Sequence, residues 1–236
     1  MSFRPGEVVV WKASLATWPR AEPFARQILT PSEWEQANRF RIDEARLRYV
    51  IGRVLLRETL SRLVDAEPAE LALEFTGHGK PQLKENRQNI QFNLSHSGEV
   101  VMLGVAREME IGVDVEQIRP LSRRDQIAQG ILSPEEWSLY SELSEHQRQQ
   151  AFFTIWTRKE AIVKAVGRGL LFPLTELEVS FQQGEARLLR FGEAVGDDVP
   201  WHLSEITCPA GYLAALATKS PIESLEVHDW QPTEPS

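Results

Sequence analysis

The stretch FFTIWTRKEAIVKAVGRGL, residues 152–170, predicts a helix that ends in a glycine-rich turn. Trp156, Glu160 and Lys164 recur at four-residue spacing, so in a helix they lie on one face. A Glu/Lys pair at this spacing is usually an exposed ion pair worth about 0.2–0.5 kcal/mol. Here the helix also runs into GRG, residues 167–169, where backbone amides can face an anion. This helix face is therefore a candidate site.

An acidic pair lies upstream in IGVDVE, residues 111–116. Apolar residues alternate there with Asp114 and Glu116, which predicts a strand with both carboxylates on the same side. Carboxylates without nearby His or Cys suit a hard cation, and Mg2+ takes one or two of them together with water and substrate phosphates. Asp114 and Glu116 are candidate Mg2+ ligands, with Glu160 as a third. A solvated strand end is the alternative.

A third cluster precedes this strand. GHGKP, residues 77–81, predicts a turn, and NIQFNLSHSGEVVMLGVA, residues 89–106, predicts a strand, a polar bend and a second strand. The bend carries Ser95 and His96, which together with Lys80 are the donors that a phosphate site needs. A purely structural bend is the alternative. No strand-to-helix elbow of G-x-S-x-G type surrounds Ser95, which argues against a hydrolase triad.

In this order and at these distances, the segments GHGKP, FNLSHSG, GVDVE and WTRKEAIVKAVGRGL resemble the 4'-phosphopantetheinyl transferases of the surfactin-synthetase-activating (Sfp) type. The similarity covers roughly residues 30–172. It implies an α+β fold of two similar subdomains, each a long helix packed on a small antiparallel sheet. The subdomains would be related by a pseudo-twofold axis, with coenzyme A in the groove between them. Asp114 and Glu116 from the first subdomain would meet Glu160 and Lys164 from the second across that groove.

The resemblance also implies an activity. The phosphopantetheine arm of coenzyme A would pass to a serine of an acyl or peptidyl carrier protein, with Mg2+ bound and 3',5'-ADP released. Fatty-acid, polyketide and nonribosomal-peptide carriers all receive this arm. Asp114, Glu116 and Glu160 would hold the Mg2+, for which Mn2+ is an alternative with the same preference for oxygen ligands. Glu160 would also accept the serine proton, and Lys164 would ease charge on the phosphates.

For the nucleotide end, the resemblance implies that Lys80, Ser95 and His96 bind coenzyme A, including its 3'-phosphate, and that Arg48 lies along the adenosine. The chain departs from the family at Glu33 and Gln36, where relatives often carry basic residues for this phosphate. The candidates to replace them are Arg39, Arg41 and Arg53. Glu136 matches a position that the family places near the metal, although a helix-capping role explains it equally well.

A repeat supports two similar subdomains. LTPSEW, residues 29–34, recurs as LSPEEW, residues 132–137, and each copy predicts a helix start with an N-cap Thr or Ser, a following Pro and a capping-box Glu. Each start leads into a longer helix, at residues 42–64 and 149–167, and then into a pair of strands. Chance similarity is the alternative. Because Pro120 interrupts the pattern, the subdomains are expected to span residues 1–118 and 119–236.

Composition narrows the functional class. The chain has 236 residues, a formal net charge of -8 and a pI near 5.3, which argue against a general nucleic-acid binder. Residues 39–62 carry seven Arg against three acidic residues, either as an ordinary helix face or as a landing surface for coenzyme A or an acidic carrier. With one cysteine, no signal peptide and no apolar run of membrane length, a monomeric cytoplasmic protein is expected. A Mg2+-dependent nuclease and a non-catalytic coenzyme A- or carrier-binding protein are the alternatives.

Overall fold

The chain forms two units, each with its own apolar core. In a computed structural model the first unit comprises Met1–Met109 and Ile222–Ser236, and the second comprises Glu110–Pro221. The structure describes residues 4–77, 79–167, 169, 172–181, 186–192 and 201–232. Among these residues no helix is long and apolar enough to cross a membrane.

The first unit is a long helix packed on a four-stranded sheet. Its elements are β1 (Glu7–Ser14), α1 (Trp18–Ile28), α2 (Pro31–Asn38), α3 (Asp43–Val64), β2 (Leu73–Phe75), β3 (Pro81–Leu83), β4 (Ile90–Ser97), β5 (Val100–Arg107) and β11 (Ser224–Asp229). The strand order is β11-β1-β5-β4, with β11 parallel to β1 and the other neighbours antiparallel. A separate hairpin pairs β2 with β3. The helix α3 covers the sheet because its apolar stripe, which includes Val50, Ile51, Val54 and Leu55, is buried.

The second unit repeats this arrangement with a smaller sheet. Its elements are β6 (Ile111–Gln117), α4 (Arg124–Ile131), α5 (Pro134–Ser141), α6 (Glu145–Val166), β7 (Leu177–Val179), β8 (Leu188–Phe191), β9 (His202–Glu205) and β10 (Tyr212–Thr218). The sheet order is β6-β10-β9, all antiparallel, and β7 pairs with β8. The helix α6 packs on β6 and β10 and buries Ile155 and Ile162 in the core. The α+β class expected from the sequence is confirmed.

The two units have the same order of elements. A strand, three helices, a short hairpin and a strand pair follow one another in both, and the third helix has 22 residues in each. The helices α2 and α5 begin with the expected capping boxes, formed by Thr30 with Glu33 and by Ser133 with Glu136. The local turn chemistry in the sequence was therefore sufficient to locate both helix starts.

The division between the units differs from the boundary expected at residue 118. The strand β6, expected to close the first subdomain, belongs to the second unit because it pairs along its length with β10 and packs against α6. At the other end of the chain, β11 returns to the first unit because it pairs in parallel with β1. Pro120 lies in a loop after β6, as expected, but the sheet pairing decides to which unit β6 belongs.

The polar residues expected to form a bend before the second strand are part of a strand instead. Ser95, His96 and Ser97 continue β4, and the reversal comes at Gly98 and Glu99, where Gly98 has a φ of 53°. This positive φ is favourable for glycine, which explains why the turn falls there. Because Ser95 and His96 are adjacent residues of this strand, their side chains lie on opposite faces of it.

Candidate functional site

The acidic residues of the second unit lie where β6 packs against α6. Gly112 faces the helix so closely that a Cβ atom at this position would collide with the backbone of Ala161 and Ala165. Small residues on both elements thus allow the strand to lie directly on the helix. Asp114 is the next residue on the same side of the strand and is thereby brought to α6.

Asp114 forms an ion pair with Lys164 across this contact. Lys164 Nζ donates to Asp114 Oδ1 at 2.6 Å. Asp114 is only 3% exposed, and its second oxygen, Oδ2, is also buried. The lysine side chain is 28% exposed, so one end of the pair reaches solvent. The buried carboxylate is thus balanced by an ammonium group that solvent can reach.

Glu160 lies one helical turn before Lys164 and is half-buried. Burial raises the pKa of its carboxyl group, the negative charges of Asp114 and Glu116 raise it further, and Lys164 acts in the opposite direction. Asp114 and Glu116 are thus close enough to Glu160 to affect its ionisation. A carboxylate with a raised pKa is also a better proton acceptor for a hydroxyl group than an ordinary exposed one.

These four side chains come from one unit. The sequence predicted that Asp114 and Glu116 would meet Glu160 and Lys164 from opposite subdomains, and this prediction is wrong, since β6 and α6 belong to the same unit. The reason is the antiparallel pairing of β6 with β10, which places β6 in the sheet that α6 covers.

The donor set fits a magnesium site completed by substrate, not an all-protein cage. Among the residues that the structure describes, no three His, Cys, Asp or Glu side chains are placed to hold one metal ion. Mg2+ usually takes one or two carboxylates and fills its remaining positions with water and substrate phosphates. Asp114, Glu116 and Glu160 provide only oxygen donors, which is the chemistry that Mg2+ and Mn2+ share.

The helix face predicted from residues 152–170 is present in α6. Trp156, Glu160 and Lys164 are all half-buried along one stripe of α6, and the Trp156 ring packs against Phe152 with 5.9 Å between the ring centroids. The helix ends at Gly167, whose φ of 75° is left-handed. Gly169 also has a positive φ, while Arg168 lies outside the described residues.

In the first unit, Arg48 lies beside the turn between β4 and β5. Its guanidinium donates from Nη1 to the carbonyl oxygen of Gly98 at 2.9 Å, and Glu44 lies 4.0 Å away. The side chain is 20% exposed. The structure thus brings this candidate nucleotide-binding residue to the end of the strand that carries Ser95 and His96.

Ser95 and His96 lie on opposite faces of β4. Ser95 is 4% exposed whereas His96 is exposed, as expected for adjacent residues of a strand. Lys80 closes the turn between β2 and β3, where its backbone N–H donates to Thr76 Oγ1 at 3.1 Å. His78 of the same turn lies outside the described residues. The side chains of Ser95 and His96 therefore do not point to one common phosphate.

Glu33 is used for folding rather than for phosphate binding. It is 8% exposed, caps α2 through Thr30, and accepts from the buried Nε of Arg57 at 2.8 Å. Arg53 lies 3.9 Å from the same carboxylate, between the rings of Tyr49 and Phe75. A basic residue at position 33 would face two arginines, which explains the departure from the family pattern. Arg57 is only 4% exposed, so it is not part of a basic surface that could bind coenzyme A or an acidic carrier.

The second unit contains a corresponding buried ion pair, whose lysine was not among the residues predicted from the sequence. Lys159 is fully buried, and its Nζ donates to Glu136 Oε2 at 2.5 Å and to the carbonyl oxygens of Ile131 and Leu174 at 2.7 and 2.9 Å. Glu136 caps α5 and also accepts from the backbone N–H of Val179 at 2.8 Å. Glu136 therefore has a structural partner, not a place among the acids near Asp114.

Burial affects both members of this pair. It raises the pKa of the Glu136 carboxyl group and lowers that of the Lys159 ammonium group, and their mutual attraction opposes both shifts. A signal for this pair was present in the sequence. Lys159 lies four residues after Ile155 and three before Ile162, on the apolar stripe of the helix, where an unpaired charge is costly.

Comparisons with known proteins agree with these units. A family model described as "4'-phosphopantetheinyl transferase superfamily" matches residues 110–217, and one described as "4'-phosphopantetheinyl transferase, N-terminal" matches residues 10–108. The 4'-phosphopantetheinyl transferase HetI of Nostoc sp. is 31% identical over 96% of this chain and 90% of its own length. The 4'-phosphopantetheinyl transferase Sfp of Bacillus subtilis is 27% identical over 82% of this chain and 83% of its own.

Among solved structures, a holo-(acyl-carrier-protein) synthase from Bacillus anthracis in complex with CoA (3',5'-ADP) has a TM-score of 0.39 and 21% identity. The alignment covers 46% of this chain and 93% of that one.

Proposed function

Because the chain belongs to the 4'-phosphopantetheinyl transferase family, we propose that it transfers the 4'-phosphopantetheine arm of coenzyme A to a serine of an acyl or peptidyl carrier protein. The observation that supports this most directly is the cluster of Asp114, Glu160 and Lys164 on β6 and α6. Transfer of a phosphoryl-type group requires little covalent chemistry from the protein and much positioning and charge stabilisation.

Glu160 is the proposed general base. The serine hydroxyl loses its proton to Glu160, directly or through a water molecule, as its oxygen forms a bond to the phosphorus of the phosphopantetheine arm. The bond from this phosphorus to the bridging oxygen of the diphosphate breaks, and 3',5'-ADP leaves with the electron pair. The position of Glu160 supports this role, because it lies half-buried on the same helix face as Lys164 and close to Asp114.

Lys164 is the proposed stabiliser of phosphate charge. In the structure its ammonium group neutralises Asp114, and its partial exposure leaves it accessible to a bound diphosphate. One or two of the carboxylates of Asp114, Glu116 and Glu160 would hold a Mg2+ ion, or Mn2+ in its place, because the three are not placed to hold one ion together. When bound, the ion supplies positive charge to the diphosphate oxygens of coenzyme A. The all-oxygen donor set supports this assignment, and substrate oxygens would complete the coordination.

Residues of the first unit are proposed to bind the nucleotide end of coenzyme A. Arg48, at the β4–β5 turn, suits the adenosine or its 3'-phosphate because its guanidinium presents several donors. His96, exposed on β4, and Lys80, at the β2–β3 turn, are the further proposed phosphate donors. Arg53 is another proposed donor, although in the structure it lies beside Glu33 and two aromatic rings. Ser95 is buried, so its contribution would be through the position of the strand. The protein is proposed to act as a monomer.

Mass spectrometry of the carrier tests this proposal. The protein is incubated with coenzyme A, Mg2+ and an apo acyl carrier protein, and the carrier is then weighed. A mass gain equal to the phosphopantetheine arm is expected, and its absence with several apo carriers would overturn the activity. A non-catalytic binding protein would bind coenzyme A without changing the carrier, and a nuclease would cleave nucleic acid in the same buffer.

A further inference from the structure

We propose that Lys159 is a positioning residue for the proposed transfer: held by Glu136 and two backbone carbonyls, it fixes the rotation of α6 and hence the direction in which Glu160 projects. This inference rests on the proposed function, since it concerns the residue assigned as general base and metal ligand. Lys159 itself is fully buried and does not contact substrate.

The three hydrogen bonds of Lys159 tie α6 to its surroundings on one side. They reach the end of α4 at Ile131, the first turn of α5 at Glu136, and the segment before β7 at Leu174. An ammonium group has three N–H donors, so every donor of Lys159 has an acceptor. Glu136 is fixed in turn by the backbone N–H groups of Ser133 and Val179. The position of Lys159 is thus set by four separate segments of the unit.

Glu160 projects from the neighbouring side of the same helix. Successive residues of an α-helix are rotated by about 100° around the axis, so Lys159 points to the α4–α5 side while Glu160 points towards Asp114 and Glu116 on β6. The helix is rigid over this one-residue separation. Any rotation that the bonds of Lys159 prevent would therefore displace the carboxylate of Glu160 from the acids of β6.

The close contact between α6 and β6 lies on another side of the helix. It is made by Gly112 on the strand and by the backbone around Ala161 and Ala165 on the helix, where side chains are small or missing. The Asp114–Lys164 ion pair also joins these two elements. The directional bonds of Lys159 add a restraint on the α4–α5 side, since hydrogen-bond strength falls steeply with misalignment.

The first unit provides a matched control. Arg57 of α3 is held by Glu33, the capping-box residue of α2, and donates to the carbonyl oxygens of Pro68 and Leu71 at 2.8 and 3.1 Å. This is the same device as Lys159 with Glu136, built on the corresponding helices. Arg57→Met therefore removes a comparable buried base without touching the helix that carries Glu160.

The experiment compares Lys159→Met, Lys159→Met/Glu136→Gln and Arg57→Met in the full chain. Thermal unfolding reports stability, Mn2+ titration by electron paramagnetic resonance in the presence of coenzyme A reports metal affinity, and transfer to an apo acyl carrier protein gives kcat. We expect Lys159→Met to raise the Kd for Mn2+ about 10- to 100-fold. We expect its kcat to fall about 100-fold, the loss typical of a displacement near 1 Å.

The double variant separates positioning from stability. Removing both charges of a buried pair is often neutral for stability, so its Tm should return towards that of the unsubstituted protein while Mn2+ affinity and kcat stay low. Arg57→Met should lose stability but keep its Kd for Mn2+ and its kcat. The proposal is overturned if the double variant regains Mn2+ affinity with its Tm, if Arg57→Met weakens Mn2+ binding as much as Lys159→Met, or if neither Lys159 variant folds.

The same measurements distinguish a failure of the proposed transferase activity from a failure of the role proposed for Lys159. If the unsubstituted protein binds Mn2+ with coenzyme A but modifies no carrier, the transferase assignment falls, and the Mn2+ titrations still decide the role of Lys159. If the unsubstituted protein binds no Mn2+, both proposals are overturned.

Discussion

Lys164 Nζ lies 2.6 Å from Asp114 Oδ1, so a helix and a strand whose residues are 50 positions apart in sequence are joined at a buried carboxylate. The pair links the two sequence motifs that first indicated a site. It also means that the charge of Asp114 is balanced before any substrate binds.

Replacing Lys164 by Met should therefore affect stability and turnover together. The Asp114 carboxylate, only 5% exposed as a side chain, would lose the ammonium group beside it, at a cost of about 1–3 kcal/mol in the free energy of unfolding. Turnover should fall because phosphate charge is no longer stabilised. Urea unfolding and steady-state transfer measure the two effects. Unchanged kcat in a folded Lys164→Met protein would remove this residue from the mechanism.

Glu160→Ala should abolish most turnover and leave coenzyme A binding partly intact. Loss of a general base typically lowers the rate by about 10²- to 10⁴-fold. Isothermal titration with coenzyme A and mass analysis of the carrier separate binding from chemistry. Asp125→Asn is the comparison, because it changes a carboxylate of the same unit whose partners are Arg124 and Tyr140 and not residues of the site. Normal turnover of Glu160→Ala would contradict its assignment as the base.

Gly112→Ala should destabilise the second unit. The added methyl group would meet the backbone of Ala161 and Ala165, which cannot move without shifting α6, so a loss of about 1–3 kcal/mol is expected. Gly130→Ala is the control: this glycine lies in α4, and a Cβ there would have no neighbour within 4 Å. That substitution should stabilise the protein by about 0.5–1 kcal/mol. A Gly112→Ala protein that is as stable as the unsubstituted one, or stabilised like Gly130→Ala, would contradict the close β6–α6 contact.

Acid should weaken the second unit partly through Asp125. Burial acts to raise the pKa of this carboxyl group, but hydrogen bonds from Tyr140 at 2.8 Å and Arg124 at 2.9 Å outweigh it, and the pKa is lowered. A lowered pKa in the folded state contributes stability above the unfolded value, and this contribution is lost as the pH falls through the folded value.

The free energy of unfolding should therefore fall more steeply below about pH 4 in the unsubstituted protein than in Asp125→Asn. Urea unfolding at a series of pH values from 6 downwards provides the measurement. Parallel pH profiles for the two proteins would mean that Asp125 gains nothing from its partners on folding.

Much of the fold was predictable because its signals are local. The capping boxes at Thr30 and Ser133 each involve residues three positions apart, and the apolar stripe that includes Val50 and Val54 follows from helical periodicity alone. The same locality allowed Glu160 and Lys164 to be placed on one face of a helix. What failed was an assignment that depends on partners distant in the chain, namely the unit to which β6 belongs.

The sequence by itself determined the α+β class, the repeated order of elements and the acidic and basic residues of the candidate site, since each depends on patterns spanning a few residues. Only the tertiary structure decided that Asp114 meets Lys164, that Lys159 meets Glu136, and that Gly112 lies on the backbone of α6. These contacts join segments far apart in the chain. They form only where sheet pairing and core packing bring the segments together, because no local preference specifies a partner at that distance.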